Sequence, residues 1–328
     1  MDKISGRSFL VTGGLSLVGY HLVEALQAEG AKEIVLLDNL SLGSQAQAEL
    51  MAKRPGVRVV RGDITRLQDL IESMKDVDGV FALAGYLTLP MSAQPSIGVE
   101  VNVMGAHNTL EAARLLGVKK VVFASSISVY GNQRHGKVTE ETPFGSYGLN
   151  PAFSTYAATK LVGEHLGRLY SQKYGLEACS ARFSTVYGEN QHSRGVNALY
   201  MLEALQAVSA GRAPTIVGTG EEAHDFVHAS DIARGCIAIM LKGQPGAIFN
   251  IASGRSTSVN ELATLVLEEY GSTLKPVYAE DLREAKAATH NSLNISIEHA
   301  QRELDWAPQV ELREGIRRLR LWMEMQGR

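Results

Sequence analysis

The chain has little cysteine, no strong excess of either charge and no long apolar run. Only two of its 328 residues are cysteines, Cys179 and Cys236, and they stand in unrelated segments. So low a count argues against a disulfide framework and against a cysteine-based metal site. The net charge is −3 and the basic residues are scattered, so neither a nucleic-acid groove nor a membrane-surface patch is expected.

Membrane and export signals are not expected either. No apolar stretch reaches the roughly 18 residues that a membrane span needs. The first residues, MDKISGRSFLVTGG, do not show the charged, apolar and small-residue order of a secretory leader. Apolar residues make up 45% and charged residues 20%, which is the balance of a globular protein with a full core. We therefore expect a cytoplasmic protein with no nucleic-acid or membrane partner.

Short β-branched runs alternate with longer helical patterns over the first 185 residues. Strands are predicted at 8–13, 33–38, 57–63, 78–85, 119–126 and 177–184, with helices at 17–30, 96–116 and 155–174. The strand runs do not alternate between apolar and polar residues, which indicates burial on both faces, as in a parallel sheet. Strand–helix repetition predicts an α/β fold with a Rossmann-type doubly wound parallel sheet.

The regularity falls after about residue 185. A helix at 195–210, strands at 225–228 and 247–252, and helices at 230–241, 259–271 and 312–326 are predicted there. No internal repeat or low-complexity linker separates the two parts, so the second should be a smaller interleaved lobe. The predicted Rossmann domain takes 1–185 and about 224–252, and the α/β lobe that would bind substrate takes 186–223 and 253–328.

A glycine-rich turn, VTGGLSLVG at 11–19, joins the first predicted strand to the first helix. Glycines there permit a tight turn, and backbone N–H groups at the helix N-terminus face a phosphate. Asp38 ends the second predicted strand, where a carboxylate accepts hydrogen bonds from a ribose diol and repels a 2′-phosphate. The pattern predicts NAD rather than NADP; an aspartate that serves only its own turn is the alternative. Asp63, in RGDIT, is expected to meet the adenine edge or to cap the next helix.

Tyr156 and Lys160 stand four apart in YAATK and therefore share one face of a predicted helix. An ammonium beside a phenol favours the phenolate, so the tyrosine pKa is expected to fall from about 10 toward the working pH. Ser126 ends a predicted strand, and ligands bind beyond the carboxyl ends of parallel strands. Such a group suits removal of a proton from an alcohol. Ser125 and Ser128 are competing serines, and a surface Tyr–Lys pair is the simpler alternative.

Together these motifs resemble the extended short-chain dehydrogenase/reductase family, in its NAD-dependent epimerase/dehydratase branch, typified by UDP-glucose 4-epimerase. The resemblance covers nearly the whole chain. It rests on TGG…G at 12–19, LLDNLS at 36–41, GDI at 62–64, ALAG at 82–85, Asn102, SSISVYG at 125–131, YAATK at 156–160, RFSTVYG at 182–188, HDFVHASDIA at 224–233 and ELDWAP at 303–308.

The resemblance implies roles at the matching positions. Tyr156 would be the general base and acid, Lys160 would hold the nicotinamide ribose, and Ser126 would hydrogen-bond the reacting oxygen. Asn102 would steady the active-site backbone or the cofactor. Family members commonly form homodimers through the helix pair matching 96–116 and 155–174, so a homodimer is implied. The implied NAD-binding positions, besides Tyr156 and Lys160, are Gly13, Ser16, Leu17, Val18, Gly19, Asp38, Asn39, Asp63, Ile64, Leu83, Ala84, Gly85, Asn102 and Phe183.

The chain departs from the family pattern mainly in the second lobe. Ser16 stands where the middle glycine of the turn is usual, Thr185 replaces an asparagine and Glu189 a proline. His224 replaces the arginine that usually clamps the nucleotide diphosphate, and histidine lacks that permanently charged, bidentate fork. Arg194, Arg255 and Arg283 are candidates to supply the charge. The expected substrate-binding residues are Ser126, Thr185, Arg194, His224 and Arg283.

Two activities remain open, with epimerisation the leading one. Sugar 4,6-dehydratases carry Asp-Glu where this chain has Ile127 and Ser128, neither of which can serve as acid or base in an elimination. We expect NAD-dependent epimerisation of a nucleotide sugar, a UDP-hexose at C4, through a transient keto intermediate. An NAD-dependent dehydrogenase of a non-nucleotide sugar, sugar acid or other secondary alcohol is the alternative, and a non-catalytic dinucleotide sensor a third. No metal is expected, because His224 and His228 lie on a predicted strand that holds them about 13 Å apart.

Overall fold

The structure is a computed structural model that describes residues 1–133, 136–191, 198–280 and 293–327. In chain order the strands are β1 (Ser8–Thr12), β2 (Glu33–Asp38), β3 (Val57–Arg61), β4 (Gly79–Ala82), β5 (Lys120–Ser126), β6 (Lys137–Val138), β7 (Glu177–Phe183), β8 (Thr185–Tyr187), β9 (Thr215–Val217), β10 (Ala223–His228), β11 (Ile248–Ile251), β12 (Ser256–Ser258), β13 (Val277–Ala279) and β14 (Asn294–Ile295).

The helices follow the same order along the chain. They are α1 (Leu17–Ala28), α2 (Gln45–Ala52), α3 (Leu67–Ser73), α4 (Thr88–Ala93), α5 (Pro95–Val99), α6 (Gly105–Leu115), α7 (Pro151–Tyr174), α8 (Leu199–Ser209), α9 (Ala229–Lys242), α10 (Val259–Glu269), α11 (Glu298–Leu304) and α12 (Leu312–Met325). A π-helical turn, Glu100–Met104, joins α5 to α6, and a 3₁₀ turn, Ile127–Tyr130, follows β5.

Seven parallel strands form the main sheet, in the order β11-β7-β5-β4-β1-β2-β3. Because β2 lies on one side of β1 and β4 on the other, the chain winds outward in both directions from β1. This leaves a crevice at the carboxyl ends of β1 and β4, where doubly wound folds bind ligands. The predicted Rossmann-type fold is confirmed.

Apolar layers cover both faces of the main sheet, which explains why its strands lack alternation. On one face α1 and α9 pack against the sheet, with Leu22 and Ile232 fully buried. On the other face α3, α6 and α7 cover it through residues such as Leu70 and Leu110. The sheet is therefore a rigid platform for the groups at its carboxyl edge.

The second part of the chain contributes a small sheet, β12-β10-β8, and an apolar cluster of its own. Helices α8, α10 and α12 build that cluster around the buried Tyr187. β11 nevertheless returns to the edge of the main sheet, beside β7. The predicted division into a Rossmann domain and a lobe stays a prediction, resting on this separate cluster.

Helix boundaries differ from the predicted ones by a few residues in several places, and three of the differences concern the site or its surroundings. The helix expected at 96–116 is interrupted by the π-helical turn. α7 starts at Pro151 rather than 155, because the Asn150 side chain accepts from the Ala152 N–H at 2.9 Å and proline suits a first helical turn. The helix expected at 195–210 is seen from Leu199, and residues 195–197 lie outside the described residues.

Candidate active site

The glycine turn lies at the carboxyl end of β1. Gly13 has a φ of +66°, and a Cβ there would approach the Ala84 Cα to 2.9 Å. A Cβ at Gly19 would come within 2.5 Å of the Gly14 carbonyl oxygen. Any side chain at these two positions would fill the turn. The bare backbone therefore fits the close approach of a pyrophosphate at the N-terminus of α1.

Ser16 occupies the helix-capping position of α1 within that turn. Its hydroxyl oxygen accepts a hydrogen bond from the Gly19 N–H at 3.1 Å. The hydroxyl proton remains to donate, so a serine in place of the usual glycine is compatible with a phosphate. Ser16, Leu17 and Val18 all line one cavity with the candidate catalytic residues.

Asp38 ends β2 beside the glycine turn. Its two carboxylate oxygens accept hydrogen bonds from the Leu15 N–H at 3.0 Å and the Leu40 N–H at 2.9 Å. Asp38 thus does serve its own turn, as the alternative interpretation held, and ties the glycine turn to β2. Since a carboxylate has about four acceptor sites, two of them remain for a ribose diol.

Asp63 follows β3 at the same edge of the sheet. Asn39 Nδ2 donates to one of its oxygens, and the Thr65 N–H and hydroxyl donate to the other, each at 2.9 Å. Partial burial acts to raise the pKa of Asp63, but these hydrogen bonds outweigh it and the pKa is lowered. α3 begins after Arg66, so the interpretation of Asp63 as its cap is wrong.

The remaining implied NAD positions either pack within the fold or line the cavity. The Ala84 N–H donates to the Thr12 hydroxyl at 3.2 Å, which holds the end of β4 beside β1. The Ile64 side chain is largely buried in the core beside Gly105, and its expected place next to an adenine stays a prediction. Three members line the cavity: Leu83, Gly85 and Phe183.

Tyr156 and Lys160 lie on α7 against the carboxyl end of β5. Both are buried, with 7% and 5% of their surface exposed, so they are not a surface pair. The Tyr156 hydroxyl lies beside the Ser126 side chain, which acts to lower the pKa of the phenol. Lys160 Nζ donates to the Ala124 carbonyl at 2.9 Å and lies 5.9 Å from the centre of the Tyr156 ring. The structure thus brings the three predicted catalytic residues together beside the glycine turn.

Ser126 is distinguished from the two competing serines by its partners. The Ser125 hydroxyl donates to a Glu164 carboxylate oxygen at 2.6 Å instead of meeting the phenol. The Ser128 N–H donates to Ser126 Oγ at 3.2 Å, and Ser128 Oγ itself is buried without a hydrogen-bond partner in the described structure. Ser126 is therefore the hydroxyl that accompanies Tyr156.

Asn102 sits in the π-helical turn and is almost fully buried. Its Oδ1 accepts from the Tyr86 N–H at 2.7 Å, and its Nδ2 donates to the Tyr86 carbonyl at 2.9 Å and to Thr159 Oγ1 at 3.1 Å. The amide thereby ties the backbone after β4 to α7. Of its two implied roles, this geometry fits the steadying of the active-site backbone.

Burial governs the protonation of both candidate catalytic groups. It raises the pKa of Tyr156 to about 12, against a hydrogen bond with Ser126 that lowers it. It lowers the pKa of Lys160 to about 8, against the nearby Glu164 carboxylate. The prediction that the phenol pKa falls is wrong for the protein without its cofactor. The lysine ammonium is directed to the Ala124 carbonyl, and burial has the larger effect on the phenol pKa. Further positive charge is needed for a phenolate to form near neutral pH.

Tyr156 faces a cavity of about 400 Å³ that extends from the glycine turn to the second lobe. This volume is within the range of small-molecule sites. The walls are mostly apolar, and their substrate-side residues come from loops and helix ends with no spacing signal in the sequence. Those that sequence reasoning missed include Leu89, Phe153, Gln191 and Leu293.

Thr185 and His224 line the far side of this cavity. Burial lowers the pKa of His224, against the opposing charge of Glu222, so its imidazole is neutral at pH 7. Among the described lining residues the cationic side chain is Lys160. Arg255 is exposed, and the two other candidate arginines lie outside the described residues: Arg194 and Arg283.

A buried Glu164–Arg182 ion pair lies behind Lys160 and was also missed by sequence reasoning. Two signals point to it. Glu164 continues the helix face of Tyr156 and Lys160 by one more turn. Arg182 stands inside an otherwise buried strand, where an unpaired guanidinium is not tolerated.

Within the described stretches, no group of three or more His, Cys, Asp or Glu side chains is placed to hold a metal ion. None of the helices seen there combines the length and apolar character that crossing a membrane requires. Cys179 and Cys236 are both buried and unlinked.

The doubly wound sheet, the bare glycine turn and the buried Tyr–Lys–Ser group at one edge are the features of a dinucleotide-dependent short-chain dehydrogenase/reductase. Residues 9–252 match the model of the NAD dependent epimerase/dehydratase family, and the chain belongs to that family. Its cofactor is NAD, and the glycine turn with Asp38 is the part of the structure that fits it.

Three known proteins illustrate the relationship. The UDP-glucose 4-epimerase of Mycolicibacterium smegmatis is 32% identical over 315 residues, which are 94% of this chain and 95% of the relative. The crystal structure of Thermotoga maritima UDP-glucose 4-epimerase with UDP-glucose is 26% identical, with a TM-score of 0.86 over 98% of this chain and 100% of that one. The Thermus thermophilus UDP-glucose 4-epimerase complex with NAD is 28% identical, with a TM-score of 0.82 over 97% and 99%.

Proposed function

We propose that the protein epimerises a nucleotide sugar, a UDP-hexose at C4, through a transient ketone. The observation that carries the proposal is the position of the Tyr156 phenol, which lies beside Ser126 and faces the cavity that the glycine turn also lines. The similarity to UDP-glucose 4-epimerases along nearly the whole chain supports this substrate class.

Tyr156 would take the proton of the sugar hydroxyl as the alcohol is oxidised, and would return it when the ketone is reduced. Ser126 would donate a hydrogen bond to the same oxygen in both steps. The Lys160 ammonium would favour the phenolate electrostatically. NAD would supply the hydride acceptor for the alcohol, the hydride donor for the ketone, and the positive charge of its oxidised ring. Inversion then requires only that the ketone turn over in the cavity between the two steps.

The 3₁₀ turn after Ser126 argues against 4,6-dehydration, the other activity of the family. Ile127 and Ser128 occupy the first two positions after Ser126, and both line the cavity. Neither side chain titrates near neutral pH, so neither can remove a proton from carbon or protonate a leaving hydroxyl. A ketone formed here would keep its hydroxyl groups and be reduced again.

The proposal is tested by incubating the NAD-loaded enzyme with UDP-glucose or UDP-galactose and following the sugars by proton NMR. We expect interconversion of the two without net NADH absorbance. Failure to isomerise these or any other nucleotide hexose would reject the proposal. Tyr156→Phe serves as the inactive control.

A dehydrogenase of a non-nucleotide sugar, sugar acid or other secondary alcohol is the second candidate. It is favoured by the wall of the cavity, where His224 is neutral and no guanidinium lies among the described lining residues. A nucleotide diphosphate is usually held by charge-assisted bonds. Stoichiometric NADH formation with a free polyol, and no turnover of nucleotide sugars, would select this activity.

We also propose that the protein forms a homodimer through the helices near 96–116 and 155–174. We further propose that it is a cytoplasmic enzyme in which the Rossmann domain binds NAD and the second lobe binds substrate. Large apolar side chains are exposed along these helices, which monomeric proteins normally avoid in contiguous groups. They include Ile97, Val99, Met104, Val162, Leu169 and Tyr174, each between 39% and 51% exposed.

A further inference from the structure

Thr159 lies on α7 between the two candidate catalytic residues and is buried, with 5% of its surface exposed. Its hydroxyl donates to the Tyr156 carbonyl, one turn earlier on the helix, at 2.7 Å. The same oxygen accepts a hydrogen bond from Asn102 Nδ2 at 3.1 Å. Valine has nearly the same shape and a similar helix propensity. The hydroxyl, which joins the backbone of Tyr156 to a side chain of another element, is therefore what distinguishes threonine at this position.

Asn102 extends the connection to the segment that follows β4. Its Oδ1 accepts from the Tyr86 N–H at 2.7 Å, and its Nδ2 also donates to the Tyr86 carbonyl at 2.9 Å. Asn102 lies in the π-helical turn between α5 and α6, and such turns are frequent at functional sites. A chain of hydrogen bonds thus runs from the Tyr86 backbone through Asn102 and Thr159 to the carbonyl of Tyr156.

The connection passes beside the ammonium of Lys160. A Cβ at Gly85 would lie 3.0 Å from Lys160 Nζ and 3.4 Å from Asn102 Oδ1, so both groups face the same glycine. On another side Nζ is held by the Ala124 carbonyl of β5 at 2.9 Å. Gly85, Tyr156 and Lys160 all line the cavity. A shift of the segment after β4 relative to α7 would therefore change the surroundings of the ammonium and of the phenol together.

We propose that Thr159 is a positioning residue, whose hydroxyl holds the turn of α7 with Tyr156 and Lys160 in place against the backbone at Gly85 and Tyr86. The inference rests on the proposed function in that Tyr156 is the group that transfers the proton. That transfer requires hydrogen-bond reach to the substrate, and small displacements of catalytic groups slow a reaction strongly. Thr159 is not among the described residues that line the cavity, so it acts through Tyr156 and Lys160 rather than on the substrate.

The first test compares two substitutions of Thr159 in the NAD-loaded enzyme. Thr159→Val removes the hydroxyl and keeps the branched shape, so kcat for the interconversion of UDP-glucose and UDP-galactose is expected to fall about tenfold. KM and NAD content are expected to change less than about threefold. Thr159→Ser keeps the hydroxyl and loses a methyl group, and should retain at least about half of the wild-type kcat. A role in packing alone would give the opposite order of the two variants.

Thr109→Val is the matched control. Thr109 is also buried, with 2% of its surface exposed, and its hydroxyl donates to the carbonyl of Gly105, one turn earlier on α6, at 2.8 Å. This variant should keep kcat within about twofold of the wild type. The proposal would be overturned by a Thr159→Val enzyme of nearly wild-type kcat, by a Thr159→Ser enzyme that is no faster than Thr159→Val, or by an equal loss of kcat in Thr109→Val.

The route through Asn102 is tested by combining Thr159→Val with Asn102→Ala. Residues that act through one shared hydrogen bond give non-additive effects. The double variant is therefore expected to be about as slow as the slower of the two single variants. Losses of kcat that multiply would show that Thr159 acts independently of Asn102 and would count against the proposal.

Hydrogen exchange of the Tyr86 N–H in the NAD-loaded enzyme needs no substrate. Because Asn102 loses one of its bonds in Thr159→Val, this exchange should become about three- to tenfold faster, and it should stay unchanged in Thr109→Val. Unchanged exchange in Thr159→Val would overturn the proposal. If the exchange accelerates as expected while the wild type turns over no nucleotide sugar, the positioning contact stands and the proposed substrate fails. Should Thr159→Val not fold, Thr159→Ala replaces it with the same expected and contradicting results.

Discussion

At the scale of single residues, the account depends on a buried phenol that exchanges a proton with an alcohol. Tyr156 has a hydrogen bond to Ser126 and an ammonium nearby, yet burial holds its pKa at about 12 in the chain alone. We expect the positive charge of oxidised NAD to favour the phenolate when the cofactor is bound.

Replacing the phenol removes the proton transfer and little else. We expect Tyr156→Phe to lower the turnover of UDP-glucose by roughly 10²–10⁴-fold, the usual contribution of a general acid–base group. NAD binding should be nearly unchanged, since the glycine turn and Asp38 are untouched. Initial rates by NMR and NAD content after gel filtration check both expectations. A variant with more than a tenth of wild-type activity would remove Tyr156 from the mechanism.

Burial of Lys160 should cost the protein stability. Burial lowers the pKa of Lys160 from 10.5 to about 8. Below about pH 8 the lysine is charged in both the folded and the unfolded state, so the folded state bears the full free-energy cost of burying the ammonium. Lys160→Met is therefore expected to raise the free energy of unfolding at pH 7 by about 1–3 kcal/mol, while activity falls. The gain should shrink as the pH rises from 8 to 10.5, because the unfolded chain then also loses the proton.

Urea unfolding at pH 7 and near pH 10 measures this effect. Lys242→Met is a suitable control, because Lys242 also donates to a carbonyl, that of Leu304 at 3.0 Å, but is half exposed. Lys242→Met is not expected to raise the free energy of unfolding. A loss of stability in Lys160→Met at pH 7 would show that the bond to the Ala124 carbonyl outweighs the cost of burying the charge.

At the scale of elements, one contact ties the cofactor helix to the second lobe. Glu189, two residues after the end of β8, accepts from His228 Nε2 at 2.9 Å through its carboxylate and from His21 Nε2 at 3.0 Å through its carbonyl. His21 lies on α1, and His228 caps α9 by accepting from the Ser230 N–H. Glu189, which replaces the usual proline, thus links the end of β8 to α1 and to the start of α9.

Charge on Glu189 should stabilise the fold. Partial burial acts to raise its pKa, but the hydrogen bond from His228 and the two imidazoles outweigh it and lower the pKa from 4.5 to about 2. The contribution is fully present above pH 4.5 and is lost as the pH falls toward 2. Glu189→Gln should destabilise the protein by about 1–3 kcal/mol at pH 7, with the difference closing over that window.

Thermal or urea unfolding of both proteins between pH 7 and pH 2.5 checks the prediction. Glu311→Gln, in the exposed cap of α12, offers a comparison in which no such closing is expected. If the difference in the free energy of unfolding between the wild type and Glu189→Gln were the same at all pH values, the stabilisation would come from the packing of Glu189 rather than from its charge.

The sequence was sufficient for elements whose signals are local. β1, β2 and β5, the glycine turn and the YAATK helix were located because buried strands and capped helices leave their pattern in consecutive residues. It was insufficient where distant segments meet. Leu293 and Phe153 line the same cavity from positions far apart in the chain, and the high pKa of Tyr156 comes from burial, which no motif reports.

At the scale of the whole molecule, the exposed apolar side chains of α5, the π-helical turn and α7 predict self-association. Val162→Glu combined with Leu169→Glu places two charges on α7 at positions that are 39% and 51% exposed. We expect the mass measured by light scattering to fall from that of a dimer to that of a monomer, with the fold retained by circular dichroism. Leu50→Glu, on α2 and 60% exposed, should leave the mass unchanged. A wild-type protein that is already monomeric would reject the interface.

Isotope retention shows whether an alcohol carbon is oxidised beside Tyr156 and then reduced again within one cavity. UDP-glucose deuterated at C4 is incubated with the enzyme and unlabelled NAD, and the product is examined by NMR and mass spectrometry. The account predicts UDP-galactose that keeps the deuterium at C4, because the same hydride returns without leaving the enzyme. UDP-galactose that has lost the label, or deuterium accumulating in free NADH without any epimer, would contradict it.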